Sequence, residues 1–217
     1  MATARAVTRT LGATLDQAFP VSREAELVGQ LQAGCERAFA DLLATYQHPI
    51  YDLILRLLGN EADAADVLQN VLVKIFRGIR QFHGDSSLKT WIYRIAVREA
   101  SNHRRGWSRR QTHEAVSLDD GGNGLAAHGE PSARDDTPYQ ALEQAERHEL
   151  VERALASLTE PYRTVVMLRE MQDLSYEEIA QVLGVAAGTV KSRLLRGREL
   201  LRRKLAAGPL APVQQSE

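Results

Sequence analysis

The sequence of 217 residues predicts an all-α fold, two small helical domains joined by a flexible linker. Three observations lead there. No stretch alternates apolar and polar residues in the two-residue rhythm of a strand, whereas apolar residues recur three and four apart, the spacing of an amphipathic helix. The core-forming residues are mostly Leu, Ala, Val and Ile, which suit helices. Residues 106–138, GWSRRQTHEAVSLDDGGNGLAAHGEPSARDDTP, break the pattern with Gly, Ser, Asp and Pro. They offer too little apolar surface to offset the entropy of ordering them, so they read as the linker.

Residues 1–24 carry basic residues without a continuous apolar core, and read as a floppy tail rather than a secretory signal. The first domain spans residues 25–105. Phe39, Leu42, Leu43, Tyr46, Ile50, Leu53, Ile54 and Leu57 mark its first helix, which Pro49 is expected to kink or split. GNEADAAD opens the next helix, with Asn60 as cap and acids in the first turn, where the helix dipole favours them. Val67, Leu68, Val71, Leu72, Ile75, Phe76 and Ile79 are its apolar positions. HGDSS is a loop, and SLKTWIYRIAVREASNHRR a third helix. The second domain spans residues 139–207, with helices near 139–157, 160–171, 176–183 and 187–205. Thr159 ahead of Pro161 suits a helix start. Residues 208–217 form a C-terminal tail.

Hydrophobic content of 44% and charged content of 25% fit a soluble globular protein, and no apolar run is long enough to span a bilayer. Cys35 is the single cysteine. It cannot make an internal disulfide or a CxxC site, so the chain reads as cytosolic, and Cys35 is expected to be buried and inert. The formal charge of -1 hides an asymmetry. Ten basic residues between Lys74 and Arg110 face only Asp85 and Glu99, and seven basic residues between Lys191 and Lys204 face only Glu199. Two separated positive segments point to a polyanion touched at two places.

The C-terminal segment has a local architecture of its own. Ser175-Tyr176-Glu177-Glu178 is a capping box, in which Ser and the Glu three residues later satisfy each other's free N–H groups. Ile179, Ala180, Val182 and Leu183 face inward, with small Ala180 allowing a close helix crossing. Gly184 permits the positive φ of a sharp turn, and Val185 packs behind it. On the next helix, which starts at Ala186-Ala187 without a good cap, Val190 and Leu194 are the inner side. Lys191, Ser192, Leu195, Arg196 and Arg198 then point outward or sideways, in the manner of a helix-turn-helix whose second helix enters the major groove.

Nothing in the sequence forms a catalytic constellation. GDSSLKT lacks the second Gly and the Lys-Ser/Thr pair of a phosphate loop, and the six histidines show no ligand spacing, so no enzyme activity, cofactor or metal is expected.

SLTEPYRTVVMLREMQDLSYEEIAQVLGVAAGTVKSRLLRGRELL resembles the C-terminal domain of bacterial sigma factors. DAADVLQNVLVKIFRGIRQFHGDSSLKTWIYRIA resembles the sigma segment that binds core RNA polymerase, followed by the promoter-melting segment. Two domains and no others, over roughly residues 25–205, are similar to the extracytoplasmic-function (ECF) subgroup. The resemblance implies a cytoplasmic protein that binds core polymerase, through the clamp helices of the largest subunit and the flap of the second-largest. It further implies that the protein directs polymerase to promoter DNA, often of a stress or envelope-signal regulon, and helps melt the minus-ten region. It also implies an anti-sigma factor and no direct membrane insertion. Asp63, Asp66, Gln69, Lys74 and Phe76 match the positions that dock on the clamp helices. Phe82, His83, Gly84, Asp85 and Ser86 match the loop that pockets a flipped minus-ten base, a step that needs a shaped pocket. Trp91 and Tyr93 match bases-stacking aromatics and Arg94 a phosphate contact, with core packing the other role open to Trp91. Many relatives carry Asn after RIAV where this chain has Arg98, for which a phosphate contact is the plainer role. Gly188, Thr189, Lys191, Ser192, Leu195 and Arg196 match positions at the minus-thirty-five element, with Arg193 on phosphate. The alternative is a helix-turn-helix activator or repressor outside the polymerase, which would lack the DVLQ helix joined to an aromatic, basic helix.

Overall fold

The computed structural model describes residues 21–114 and 138–206, and every regular element among them is helical. Residues 1–20 of the expected tail at 1–24, residues 115–137 of the expected linker at 106–138, and all of the expected tail at 208–217 lie outside the described residues. The helices are α1 (Val21–Gln32), α2 (Glu36–Leu58), α3 (Glu61–Gly78), α4 (Leu88–Glu114), α5 (Pro138–Ala156), α6 (Glu160–Glu170), α7 (Tyr176–Leu183) and α8 (Ala187–Ala206), with a 3-10 turn at Ile79–Gln81.

α1 starts inside the stretch expected to be tail. Its Leu27 and Leu31 are buried in the first core. Gln32 Nε2 donates to the carbonyls of Ile79 (3.2 Å) and Phe82 (2.8 Å), which pins the turn after α3. Glu24 Oε1 accepts from Leu88 N at 2.8 Å, a carboxylate at the positive end of α4.

α2 is one helix, not two: Pro49 lies inside it. Leu42 and Tyr46 before the proline and Ile50 and Leu53 after it are all buried in the same core, and this shared packing carries the chain through the lost hydrogen bond. Cys35, expected to be buried, is exposed at the N-cap of α2. Gly59, in the left-handed region at φ 75°, ends the helix. Asn60 then caps α3 by accepting from Asp63 N at 3.0 Å.

α4 continues to Glu114, so residues 106–114 are helical rather than part of a linker. Gly106 is the only poor helix former there, and no proline intervenes to stop the helix. In the second domain α6 and α8 cross at Gly197. A Cβ there would meet Val166 Cγ2 at 2.7 Å and the Tyr162 carbonyl at 3.4 Å, so only glycine allows this approach. The two domains touch, with α4 packed against α7 and α2 against α5 and α6.

Candidate nucleic-acid interface

The helix-turn-helix is built as its local chemistry dictates. Ser175 Oγ accepts from Glu178 N at 3.1 Å, and Glu178 Oε2 accepts from Ser175 N at 2.8 Å. Gly184 has φ 65°, and Val185 N donates to the Ala180 carbonyl at 3.1 Å, closing α7. Without a side-chain cap, α8 starts on the Ala186 carbonyl, which accepts from Thr189 N (2.9 Å) and Val190 N (3.2 Å).

Val190, Leu194 and Gly197 fix the buried side of α8. Lys191, Ser192, Leu195 and Arg196 share the exposed side, next to Gly188, whereas Thr189 is half-buried. Leu195 is 73% exposed, a large apolar side chain held in water beside two cations. Lys191 Nζ lies 5.9 Å over the Tyr176 ring, which Arg169 also approaches. Arg196 Nη1 is 3.2 Å from Glu199 Oε2, and Arg203 pairs with the same carboxylate. Arg198 is tethered to Glu170 of α6, its Nε donating at 2.8 Å. Arg193 does not share the outward face. It is half-buried and lines a cleft with Val97 and Ser101 of α4 and Glu160 of α6.

The residues matched to the minus-ten element differ in exposure. His83, Gly84 and Asp85 are exposed in the loop before α4, Gly84 at φ 79°. Trp91, Arg94 and Arg98 follow one another at helical spacing along α4; Arg98 is exposed, Trp91 and Arg94 are half-buried, and Arg94 Nε is buried without a partner. Phe82 and Tyr93 depart from the expectation. Phe82 is buried, its ring 5.3 Å from that of Trp91, and serves as the floor of the loop. Tyr93 is wholly buried, and its hydroxyl donates to Gln172 of the second domain, so it offers no ring for stacking. Burial holds the Tyr93 hydroxyl well above its ordinary pKa, with Tyr46 and Asp52 adding to the rise, so it stays a donor. Ser86 is half-buried, its hydroxyl donating to the Ser87 carbonyl at 3.3 Å.

On α3, Asp66, Gln69, Val73 and Phe76 form one exposed stripe at three-and-four spacing. Phe76 is 60% exposed, and its ring lies 4.8 Å from that of Phe39. Phe39 and Val73 extend this apolar stripe beyond the residues the motif names. Asp63 turns aside toward His103 of α4, at 3.5 Å, and Lys74 pairs with Glu99 at 2.6 Å. Among the described residues no helix is long and apolar enough to cross a membrane, and no group of His, Cys, Asp or Glu could hold a metal ion.

Family models match both domains: sigma-70 region 2 over residues 42–110 and sigma-70 region 4 over residues 148–201. The fold and its helix-turn-helix therefore define a sigma-70-type transcription initiation factor. The chain is 36% identical to the RNA polymerase sigma-H factor of Pseudomonas aeruginosa over 184 residues, covering 84% of this chain and 94% of that protein. It is 35% identical to the ECF RNA polymerase sigma-E factors of Haemophilus influenzae, over 82% of this chain and 93% of that one, and of Escherichia coli, over 82% and 92%. Its fold is similar to that of CnrH in complex with the cytosolic domain of CnrY (TM-score 0.60, 22% identity, 85% of this chain and 97% of that one). It is likewise similar to the sigma factor RpoE of Bartonella quintana in complex with the anti-sigma factor NepR (TM-score 0.61, 24% identity, 78% and 97%). The chain belongs to the ECF RNA polymerase sigma factors: it joins core RNA polymerase and directs transcription initiation at promoter DNA.

Proposed function

We propose that this sigma factor docks on the polymerase clamp helices through the α3 stripe of Asp66, Gln69 and Phe76, extended by Val73. α8 reads the minus-thirty-five element with Lys191, Ser192, Leu195 and Arg196. The His83-Gly84-Asp85 loop receives a flipped minus-ten base, while Arg94 and Arg98 hold its backbone. The protein acts in the cytoplasm beside its polymerase, has no enzymatic activity of its own, and is held by an anti-sigma factor until a signal releases it. The working domains are residues 25–105, to which α1 adds its first turn, and 139–207.

The observation that carries this reading is the outward face of α8. Leu195, 73% exposed, stands on that face between Lys191 and Arg196, and the three together have the chemistry of a thymine-methyl contact between guanine and phosphate contacts. The test is in vitro transcription from a genomic library with core polymerase, with and without this protein, alongside promoter footprinting. The expected result is a defined promoter set that appears only with both components. A free protein that footprints promoter duplex as tightly as the holoenzyme would replace this reading with that of a separate activator.

A further inference from the structure

α1 ties down both ends of the loop that precedes α4. At the near end, Gln32 Nε2 donates to the carbonyls of Ile79 (3.2 Å) and Phe82 (2.8 Å). The Ile79 carbonyl also accepts from Phe82 N at 3.1 Å, whereas the Phe82 carbonyl, just past the 3-10 turn, has Gln32 for its partner. At the far end, Glu24 Oε1 accepts from Leu88 N at 2.8 Å, in the first turn of α4, where backbone N–H groups lack partners within the helix. One helix thus lays a donor on the negative end of one helical segment and a carboxylate on the positive end of the next.

The two tied groups bound the loop. The Phe82 carbonyl belongs to the peptide plane that leads into His83, and Leu88 N to the plane that leaves Ser87. Between them His83, Gly84 and Asp85 are exposed, with no core of their own to set their course. Gly84 turns the chain at φ 79°, and Phe82 beneath is fixed against the Trp91 ring. α1 is a firm reference for these ties, because its Leu27 and Leu31 are buried in the first core. Both ties are only part-buried, so water could satisfy the same backbone groups. What water could not supply is a fixed direction for the chain at each end of the loop.

We propose that Gln32 and Glu24 are positioning residues for base capture, and that α1 is a splint holding residues 83–87 in the shape that receives a flipped base. The proposal rests on the minus-ten role of this loop given above. An extruded base gives up its stacking and pairing, and recovers that loss only in a pocket that fits it. A site carried on a loop keeps such a fit, to within about 0.5 Å, only through the groups that support it. Neither Gln32 nor Glu24 needs to touch DNA for this; each acts through the backbone of the loop.

The test uses holoenzyme assembled from core polymerase and the full chain. Its templates are the cognate promoter and a set with an abasic site at one nontemplate position of the minus-ten element at a time. Melting is followed by 2-aminopurine fluorescence. The unmutated holoenzyme should show one position at which the missing base slows melting most. Gln32→Met keeps volume and removes both donated bonds; Glu24→Ala removes the acceptor for Leu88 N, and Glu24→Gln keeps it. Gln32→Met and Glu24→Ala should each shrink the penalty at that position by about three- to tenfold, the effect of losing a hydrogen bond, with core binding and minus-thirty-five preference unchanged. Glu24→Gln should restore the penalty. A merely structural role would slow melting on every template alike and leave the ratio between templates intact. That result, or an unchanged ratio in both variants, would overturn the splint. Gly84→Val, which distorts the loop itself because a β-branched residue does not accept φ 79°, separates the two readings. If it lowers the penalty while the α1 variants do not, the loop keeps its minus-ten role and the splint falls. If no position shows a penalty that Gly84→Val lowers, both fall.

Discussion

Replacing Arg196 with alanine separates reading of DNA from every structural role. Its guanidinium is 55% exposed, and its one partner is Glu199 at 3.2 Å, itself one-third exposed. A surface pair of this kind contributes about 0–1 kcal/mol, and Glu199 keeps Arg203, so the fold should lose almost nothing. The DNA contact is a different matter. A planar fork paired with one guanine is worth about 1–3 kcal/mol of discrimination, roughly 5–150-fold, whereas a phosphate contact weakens all sequences alike. Transcription from the cognate promoter should fall about tenfold or more, with preference relaxed at one or two bases of the minus-thirty-five element and core binding intact. Arg203→Ala, one turn farther along, should do little. The assay is transcription from a panel of single-base promoter variants with each mutant holoenzyme. Equal losses across the panel would make Arg196 a phosphate contact, and loss of core binding or a lower melting temperature would refute the separation of roles.

Gly197→Ala places a methyl 2.7 Å from Val166 Cγ2. Overpacking of about 1–3 kcal/mol exceeds the helix-propensity gain of about 1 kcal/mol, so thermal unfolding should show the second domain lose several degrees. Phe76→Ser should cost only about 1 kcal/mol of stability, from the lost ring contact with Phe39, because the ring is 60% exposed, yet weaken core polymerase about tenfold or more in a binding titration. Burial pushes the Glu178 carboxyl upward, but hydrogen bonds from Ser175, Thr90 and Ser87 outweigh it and hold the carboxyl below its ordinary value. A depressed carboxyl stabilises the fold above its unfolded pKa of about 4.3 and loses that contribution as pH falls through the folded value. Unfolding midpoints should therefore drop on acidification below about pH 4.5, and drop less in Glu178→Gln.

Legibility followed the range of the chemistry. Asn60 as a cap and Ser175-Glu178 as a capping box were readable because each involves atoms three residues apart. The outward face of α8 followed from Val190 and Leu194 alone. The departures all depend on distant partners. α1 is weakly apolar, and what holds it includes Gln32 reaching carbonyls 47 and 50 residues away. Pro49 breaks helices on propensity, yet packing on both sides overrides it. Tyr93 in an aromatic, basic stretch reads as a stacking platform, but its burial comes from the core and from Gln172, 79 residues on. Gly197 is a local signal for a distant contact: a glycine inside a helix costs about 1 kcal/mol and asks for a packing reason, here the crossing with α6.

The asymmetry between the two surfaces proposed to face DNA has a functional logic. The α8 face is open in the free chain, while part of α4 lies under the second domain. An open face with four reading side chains is a small, single-module contact, and such modules bind weakly on their own. Joining a second DNA contact and the polymerase makes the later binding steps intramolecular, which can multiply affinity by about 100- to 10,000-fold without any new contact. DNA alone supplies neither the polymerase nor a tethered second contact, so the α8 face by itself is expected to hold promoter duplex only weakly.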